Sequence, residues 1–378
     1  MRTKLEKLTI RGYKSFSWDH PQEIELGDIN ILIGANGSGK SNFVSFFKML
    51  NVMTTGALQE HVGGQGGANS LLHYGAKNTP ALEGNFVFRD KDNDKDNTYS
   101  FRLADASPDT LIFTEEKATY RVPPHATKSI DLGVGHKESK LLSDETQQTA
   151  SLQVTKAILR KCKVYQFHDT TNNAYVRKTT LTDNTRFLYA DGGNLAAYLL
   201  GMRSVEKYLP YYNRTVKIIN NIFPPFGDFV LEPAPFNPHT TMLNWQEKRN
   251  GNDYIFGPHQ ISDGTLRFMA LATLLLQPPE LLPNLLIIDE PELGLHPAAI
   301  GALAGMVQIA SENCQVIMAT QSARLLDEFS PDEIIIVERG RRIQHSTLRR
   351  FSSEELQDWI EEYPLSDIWE KNLLGGLP

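Results

Sequence analysis

Cysteine and long apolar runs are both scarce in this chain, and each scarcity excludes a class of protein. Only two cysteines, Cys162 and Cys314, occur among the 378 residues. Two cysteines cannot build a disulfide framework, so we expect a reducing compartment. No apolar run reaches the roughly 18 residues that a membrane-spanning helix needs, and the polar start Met1–Glu6 is unlike a signal peptide. The sequence therefore predicts a soluble, cytoplasmic protein with no membrane partner.

The chain also lacks an excess of positive charge. Its formal net charge is −7 at pH 7, so there is no overall signature of nucleic-acid binding. Contact with DNA would need a local basic patch. Two stretches supply candidate residues, which are Arg160, Lys161 and Lys163 in the first and Arg339, Arg341, Arg342, Arg349 and Arg350 in the second. The alternative is a scatter of solvated surface charges, so DNA remains a possible partner at this point.

What the sequence does contain is a glycine-rich stretch that fits the phosphate-binding loop pattern G-x4-G-K-[ST]. The apolar run Ile29–Ile33 before it indicates a buried strand, and apolar residues after it recur at helical spacing. Such a loop turns backbone N–H groups and a helix N-terminus towards phosphate oxygens. The predicted ATP-binding residues are Gly34, Asn36, Gly37, Ser38, Gly39, Lys40, Ser41 and Asn42.

Two carboxylates at the end of another apolar strand supply the rest of the predicted nucleotide chemistry. Leu285–Ile288 indicates a buried strand that ends in Asp289 and Glu290. In a P-loop protein, Lys40 would contact the β- and γ-phosphates, while Ser41 and Asp289 would hold Mg²⁺. We therefore predict ATP and Mg²⁺ as cofactors, and Glu290 as the catalytic residue that orients the attacking water. A core strand with a solvated acidic end is the alternative.

A third polar motif, S-D-G-T at residues 262–265, opens an apolar helix. Ser262 is a typical N-cap residue, and the N–H groups at the helix start would face an anion. Plain capping without a ligand is the alternative. Further strands are predicted from Val316 and from Ile334, with helices at 298–310 and 324–329. Because strands and helices alternate here, we expect a parallel sheet wound with helices.

The rest of the chain gives weaker patterns. Residues 81–89 and 98–103 alternate and predict a β-hairpin with a charged tip. Residues 54–70 are rich in Gly, Gln, Ala and Ser, and are predicted to form a mobile loop. Residues 104–160 are predicted to be polar and largely irregular, with weak helical character at Gln153–Lys161. Near the C-terminus, Trp359 and Trp369 belong to a predicted short amphipathic cap on the core, and the alternative is that these tryptophans are exposed and mark a docking surface.

Together these motifs resemble the ABC-type ATPase heads of the SMC and RecF-like group, and more narrowly the compact RecF-like AAA family ATPases of bacteria. The similarity includes the opening stretch 8–16, the loop 34–42, the S-D-G-T motif, the segment 289–297 and the tail 373–378. It implies an α/β fold, namely a P-loop NTPase of the ABC-type ATPase head architecture with an antiparallel β subdomain and a helical insertion. The implied divisions are 1–103, 104–260, 261–345 and 346–378, the last being a C-terminal cap.

The resemblance also implies roles for individual residues. ATP would be sandwiched between two copies, with the P-loop of one facing Ser262, Asp263 and Gly264 of the other, and with residues 292–296 at the seam. Gln166 occupies the place of a glutamine that contacts Mg²⁺, and a chance glutamine in a core strand is the alternative. Asp263 stands where such heads usually carry glycine, and Gln321 where they carry a switch histidine. Gln321 can hydrogen-bond a phosphate or water but cannot become cationic, so we predict slow hydrolysis.

Two functions follow from the resemblance. The first is a cytoplasmic ATPase that forms a homodimer or higher oligomer on ATP and regulates a separately encoded effector, such as a nuclease, in anti-phage defence. The second is a RecF-like DNA repair or maintenance ATPase that binds DNA directly. A transporter subunit fits poorly, because the signature lacks the usual pair of glycines.

Overall fold

The chain folds into two compact units. The computed structural model describes residues 3–90, 94–121, 126–143, 149–233, 236–247, 254–340, 344–354 and 362–372. Unit 1 comprises Met1–Val164, Pro283–Ile287 and Gln315–Pro378, and unit 2 comprises Tyr165–Leu282 and Ile288–Cys314. The division predicted between residues 103 and 104 falls inside a strand, Lys95–Ala106. Trp359, Arg341, Arg342 and the tail 373–378 lie outside the described residues.

The elements are numbered here in chain order. The strands are β1 Thr3–Arg11, β2 Gln22–Glu25, β3 Ile29–Ile33, β4 Ala81–Asp90, β5 Lys95–Ala106, β6 Thr110–Arg121, β7 Lys128–Asp131, β8 Cys162–Tyr165, β9 Thr180–Leu181, β10 Phe226–Val230, β11 Thr240–Thr241, β12 Asn244–Glu247, β13 Ile255–Phe256, β14 Leu285–Asp289, β15 Gln315–Thr320, β16 Ile334–Glu338 and β17 Thr347–Arg350. The helices are α1 Lys40–Met53, α2 Leu58–Gly64, α3 Ala68–Leu71, α4 Ala150–Arg160, α5 Leu195–Ser204, α6 Leu209–Ile222, α7 Asp263–Leu275, α8 Pro297–Ser311, α9 Ala323–Leu326 and α10 Leu365–Glu370.

Unit 1 is organised around two sheets. The first is antiparallel, with the strand order β2–β1–β4–β5–β6–β7. The second has the order β17–β16–β3–β15–β14–β8, and the last residues of β14 and β8 belong to unit 2. In the second sheet, β3 lies between β15 and β16 and is parallel to both, as the alternating pattern predicted. The α/β class with a separate antiparallel sheet is therefore confirmed.

Helix α1 lies in the core of unit 1. The ring of Phe46 has its centroid 5.8 Å from that of Phe86 on β4 and 6.1 Å from that of Phe101 on β5. At Gly84 on β4, an added Cβ would stand 2.8 Å from Phe46 and 2.7 Å from Phe101, so this approach of helix and sheet requires glycine. The same core contains Leu32 of β3 and Ile317 of β15. Burial on this scale fixes the helix whose first residue is Lys40 of the P-loop.

Two local predictions in unit 1 were wrong. Residues 54–70 form helices α2 and α3 rather than a loop, because the carboxylate of Glu138 accepts hydrogen bonds from the N–H groups of Leu58 and Gln59, each at 2.9 Å. Residues 104–160 contain the long strand β6, which the sequence hides because Glu116 occupies a fully buried position. Glu116 is satisfied there by the hydroxyl of Tyr99 at 2.7 Å and by Nε2 of His136 at 2.7 Å.

Unit 2 is mainly helical. Its helices α5, α6, α7 and α8 pack in sequence, and its short strands form the pairs β9–β11 and the sheet β10–β12–β13. The helix α7 is buried from Leu266 to Leu275. Throughout the described ranges, every helix is too short or too polar to cross a bilayer.

The C-terminal residues belong to unit 1. Helix α10 buries Ile368 and Trp369, which are 1% and 4% exposed. The backbone N–H of Ser366 and its hydroxyl both donate to Asp327 beyond α9, at 2.8 and 2.7 Å. The burial of Trp369 agrees with the predicted amphipathic cap on the core, whereas the alternative, an exposed tryptophan that marks a docking surface, is wrong for this residue.

Candidate functional site

The predicted phosphate-binding loop joins β3 to α1. Every residue of β3 is buried, and the loop from Gly34 to Gly39 turns directly into the helix. Gly39 has φ of 120°, a conformation that L side chains rarely adopt. At Gly34, an added Cβ would stand 2.3 Å from the carbonyl oxygen of Val337 and 2.6 Å from the hydroxyl of Ser38. Both glycines of the motif are thus required by the backbone itself.

Lys40 and Ser38 carry the polar side chains inside this loop. The Lys40 ammonium donates to the carbonyl oxygens of Gly34 and of Ala35, the second at 3.1 Å. The hydroxyl of Ser38 is buried and has no hydrogen-bond partner in the parts of the chain that the structure describes. A curled loop with a cation at its centre and an unsatisfied buried hydroxyl fits a phosphate group. Asn36 and Gly37 at its tip are exposed.

Ser346, near the C-terminus, makes hydrogen bonds that support the phosphate-binding loop. The hydroxyl of Ser346 donates to the carbonyl oxygen of Ser38 at 2.5 Å and bonds the hydroxyl of Ser15 at 2.7 Å. Ser15 also accepts from the side-chain amide of Asn42 at 2.8 Å. Ser15 and Ser346 are buried, so these contacts hold the end of the loop and the start of α1. Asn42, a predicted ATP-binding residue, has this structural contact, and its role towards ATP stays a prediction.

We expect Ser346→Ala to weaken ATP binding by up to about thirtyfold, because a buried hydrogen bond contributes about 1 kcal/mol and the substitution removes two of them. Titration with a fluorescent ATP analogue measures this directly. Thr215→Val is the matched control, since it also removes a buried hydroxyl, which donates to Tyr211 O at 3.0 Å on α6 in unit 2. Equal ATP affinity of Ser346→Ala and the wild type would show that the loop needs no such support.

Gln321 follows β15 at the edge of the sheet where the P-loop begins. Thr320 pairs with Ile33 in the parallel register, so Gln321 and Gly34 each follow one member of that pair. Gln321 is exposed. The position suits a side chain that contacts a phosphate or a water, and that role remains a prediction.

The acidic residues at the end of β14 meet the predicted glutamine. Asp289 is 5% exposed, and its Oδ2 accepts a hydrogen bond from Nε2 of Gln166 at 2.6 Å. His168 lies on the same segment, with its Nε2 at 2.9 Å from the carbonyl oxygen of Asp289. Glu290 has φ of 45°, which for a residue other than glycine indicates a constrained backbone of the kind found at functional sites. The structure thus brings Gln166 and Asp289 together, and sequence reasoning missed His168.

The S-D-G-T motif starts α7 as predicted. The hydroxyl of Ser262 accepts a hydrogen bond from the N–H of Thr265 at 3.2 Å and bonds its hydroxyl at 2.8 Å. Ser262 and Asp263 are exposed, although the helix behind them is buried. At Gly264, an added Cβ would stand 2.2 Å from the carbonyl oxygen of Gly294, so the motif packs against residues 292–296 through a glycine.

Two arginines of unit 2 make hydrogen bonds at or beside this motif, and neither was predicted from the sequence. Arg267 on α7 donates from Nε to Phe167 O at 2.8 Å, from a terminal nitrogen to His168 O at 3.2 Å, and from the other to Leu293 O. Burial lowers its pKa from the ordinary arginine value, and the charge of Asp263 opposes that shift. Arg177 bonds Asp263, as described below. An arginine inside the otherwise uncharged helix 264–275 was the one available signal for Arg267.

At least three of the eight predicted basic residues make hydrogen bonds within unit 1, and two others, Arg341 and Arg342, lie outside the described residues. Arg160 donates to Thr54 O at 3.3 Å, Arg339 to the hydroxyl of Tyr74 at 3.2 Å, and Arg350 to Glu25 O at 3.0 Å. Burial lowers the pKa of Lys163 and of Arg350. These side chains have structural roles, which weakens the interpretation of the patch as a DNA-binding surface. Among the residues that the structure describes, no three His, Cys, Asp or Glu side chains form a group that could hold a metal ion.

Comparisons with known proteins agree with this architecture. The fold is similar to that of an Smc head bound to the C-winged helix domain of ScpA, with 16% identity, a TM-score of 0.56 and coverage of 94% of this chain and 99% of that chain. An Smc head with an extended coiled coil, bound to the C-terminal domain of ScpA and derived from Pyrococcus furiosus, gives 16% identity, a TM-score of 0.60 and coverage of 95% and 99%. An Smc head domain with a coiled coil and joint, derived from Pyrococcus yayanosii, gives 12% identity, a TM-score of 0.53 and coverage of 95% of this chain and 99% of that chain.

These identities establish the fold alone. A search of curated protein sequences gives no match. A family model described as "AAA domain, putative AbiEii toxin, Type IV TA system" matches residues 29–327, a range that includes the P-loop, the S-D-G-T motif and the end of β14. The chain therefore belongs to this AAA family, and its fold is similar to that of Smc heads.

Proposed function

We propose that this protein is a cytoplasmic ATPase in which two copies sandwich ATP and Mg²⁺, hydrolyse ATP slowly, and thereby regulate a separately encoded effector. In this proposal Lys40 binds the phosphates, Ser41, Asp289 and Gln166 hold Mg²⁺, and Glu290 orients the attacking water. Bound Mg²⁺ would neutralise charge that develops on the phosphates. Gln321 contacts a phosphate or a water from the edge of the sheet.

The observation that carries the proposal is the exposed start of α7. Its capping residue Ser262 and its first residue Asp263 are exposed, while the helix is buried from Leu266 to Leu275. A helix N-terminus of this kind favours an anion. A triphosphate held by the P-loop of a second copy supplies that anion.

The effector and the defence role rest on weaker support. SMC heads with the same fold are described as bound to parts of ScpA, which supports the use of this fold to bind a partner. The family description names a toxin system, which favours the anti-phage defence role over the DNA repair role. Direct DNA binding is the less favoured alternative, because Arg160 and Arg350, two of the basic side chains that would provide it, bond within unit 1.

Mixing two inactive variants tests the sandwich. Ser262→Arg disables the signature and Glu290→Gln disables hydrolysis, yet each variant keeps its own P-loop. A mixed dimer contains one complete site, made from the P-loop and Glu290 of the first variant and Ser262 of the second. We expect the mixture to recover about a quarter of the wild-type rate, since about half of the dimers are mixed and each has one of two sites.

The control replaces the second partner by the double variant Ser262→Arg/Glu290→Gln, with which no complete site can form. Phosphate release is measured after the proteins are mixed without nucleotide. Failure of the first mixture to exceed this control would contradict a site shared between two copies.

A further inference from the structure

Asp263 poses a physical problem for the proposed function. The motif that would receive a triphosphate carries a carboxylate at its second position, and that side chain is 66% exposed. An ionised carboxylate beside a triphosphate is repelled by it. Either the side chain is neutralised and turned aside, or the motif is unsuited to a nucleotide.

Arg177 provides the neutralising charge. Its guanidinium donates to Oδ1 of Asp263 at 2.6 Å, and its side chain is only 4% exposed. The other donors of the same group bond the carbonyl oxygens of Thr170 at 2.8 Å, of Ile261 at 3.2 Å, and of Pro258. Because these backbone contacts fix the guanidinium, Asp263 must orient towards it.

The pair is not needed to start the helix. Ser262 already caps α7, and the hydrogen bonds of Arg267, the other arginine close to this carboxylate, go to backbone carbonyl groups. An acidic residue in a first helical turn does interact favourably with the helix dipole, but this requires no buried cation. The contact of Arg177 with Asp263 therefore has a role other than starting α7.

We propose that Arg177 is a positioning residue that neutralises Asp263 and holds its carboxylate aside, so that the S-D-G form of the signature accepts the triphosphate bound by a second copy. This rests on the proposed ATP sandwich. It explains how a signature with an acidic residue in place of glycine remains able to bind nucleotide. It also makes the Arg177–Asp263 pair a determinant of ATP-dependent dimerisation rather than of ATP binding to one copy.

The test measures dimerisation by light scattering with ATP and Mg²⁺ in the Glu290→Gln background. Arg177→Gln keeps hydrogen-bond donors for the carbonyl groups but removes the charge, and we expect it to weaken dimerisation at least about tenfold. The loss should shrink as ionic strength rises, because repulsion between exposed charges is screened. Adding Asp263→Asn should restore dimerisation to within about threefold of the parent, since no carboxylate then needs neutralising.

Three reference measurements make the result decisive. Arg203→Gln removes a comparable arginine from a 2.6 Å pair with Glu232 in the same unit, and should leave dimerisation unchanged. ATP-analogue binding by monomers should be equal in all variants. If Arg177→Gln does not fold, Arg177→Lys replaces it and is expected to stay within about threefold of the parent, because it retains the positive charge beside Asp263.

The inference is overturned if Arg177→Gln dimerises like the parent, if Asp263→Asn fails to rescue it, if its defect is independent of salt, or if a folded Arg177→Lys loses dimerisation as Arg177→Gln should. Failure of the Glu290→Gln parent itself to dimerise on ATP would instead refute the proposed sandwich.

Discussion

Glu290→Gln is expected to lower ATP turnover at least about a hundredfold, because a positioned general base typically contributes a factor of 10²–10⁴. Glu290 directly follows the buried Asp289 at the end of β14, and its φ of 45° shows that the chain holds it in an uncommon conformation. A residue kept in this conformation is fixed by its surroundings rather than by its own preference. Glutamine has nearly the same shape, so the substitution removes the base without disturbing the strand.

Phosphate release under saturating ATP measures this loss, and analogue titration measures the ATP affinity, which should change less than about threefold because the P-loop is intact. Glu312→Gln is the matched control, an exposed carboxylate after α8 in the same unit. Wild-type turnover by Glu290→Gln would exclude Glu290 as the base. Loss of ATP affinity in the same variant would show that Glu290 acts in binding instead.

The slow hydrolysis predicted from Gln321 depends on a contribution separate from that of Glu290. A histidine at that place could carry a positive charge, whereas glutamine offers only neutral hydrogen bonds. Gln321 directly follows Thr320, the partner of Ile33 in the parallel register. Its contribution would therefore be to orient a phosphate or water without adding charge, which suits a protein that uses ATP binding as a timer.

The elements with local signals could be predicted from the sequence. Gly39 has a φ of 120°, which favours glycine, an added Cβ at Gly34 would stand 2.6 Å from the hydroxyl of Ser38 in the same loop, and Ser262 caps α7 through Thr265. The alternating strands around β3 were predictable for the same reason. These are interactions between residues close in sequence, which pattern reasoning captures.

Elements that depend on distant residues could not be predicted. Helix α2 starts where Glu138 caps it, about 80 residues away in the chain, and β6 contains a buried Glu116 that only tertiary partners make tolerable. Gln166 was placed by resemblance alone, and its contact with Asp289 spans 123 residues. Arg177, Arg267 and His168 contact backbone carbonyl groups. Because every residue has a carbonyl group, the residue types of the partners give no indication of these contacts.

Arg267→Met is expected to reduce turnover about a hundredfold while ATP affinity changes little. Its guanidinium donates to the carbonyl oxygens of Phe167, His168 and Leu293. Phe167 directly follows Gln166, which bonds Asp289, and the ring of His168 contacts the carbonyl oxygen of Asp289. Removal leaves the buried carbonyl group of Phe167 without this donor, at a cost of about 1–3 kcal/mol, and also removes the partly buried bonds to His168 and Leu293. The segment that holds Gln166 against Asp289 then loses its anchor on α7, and small displacements of catalytic groups can lower rates about 10²-fold.

A fall in turnover with unchanged ATP affinity is the result that identifies Arg267 as a positioning residue, because the P-loop belongs to unit 1 and all contacts of Arg267 lie in unit 2. Arg203→Met is the control, a partly buried arginine of unit 2 that pairs with Glu232. Melting temperatures of both variants show whether loss of stability alone accounts for the effect. If Arg267→Met melts lower but turns over ATP normally, then α7 is held by its apolar packing, and the contacts of Arg267 with the segments around Gln166 and Gly294 contribute to stability without affecting catalysis.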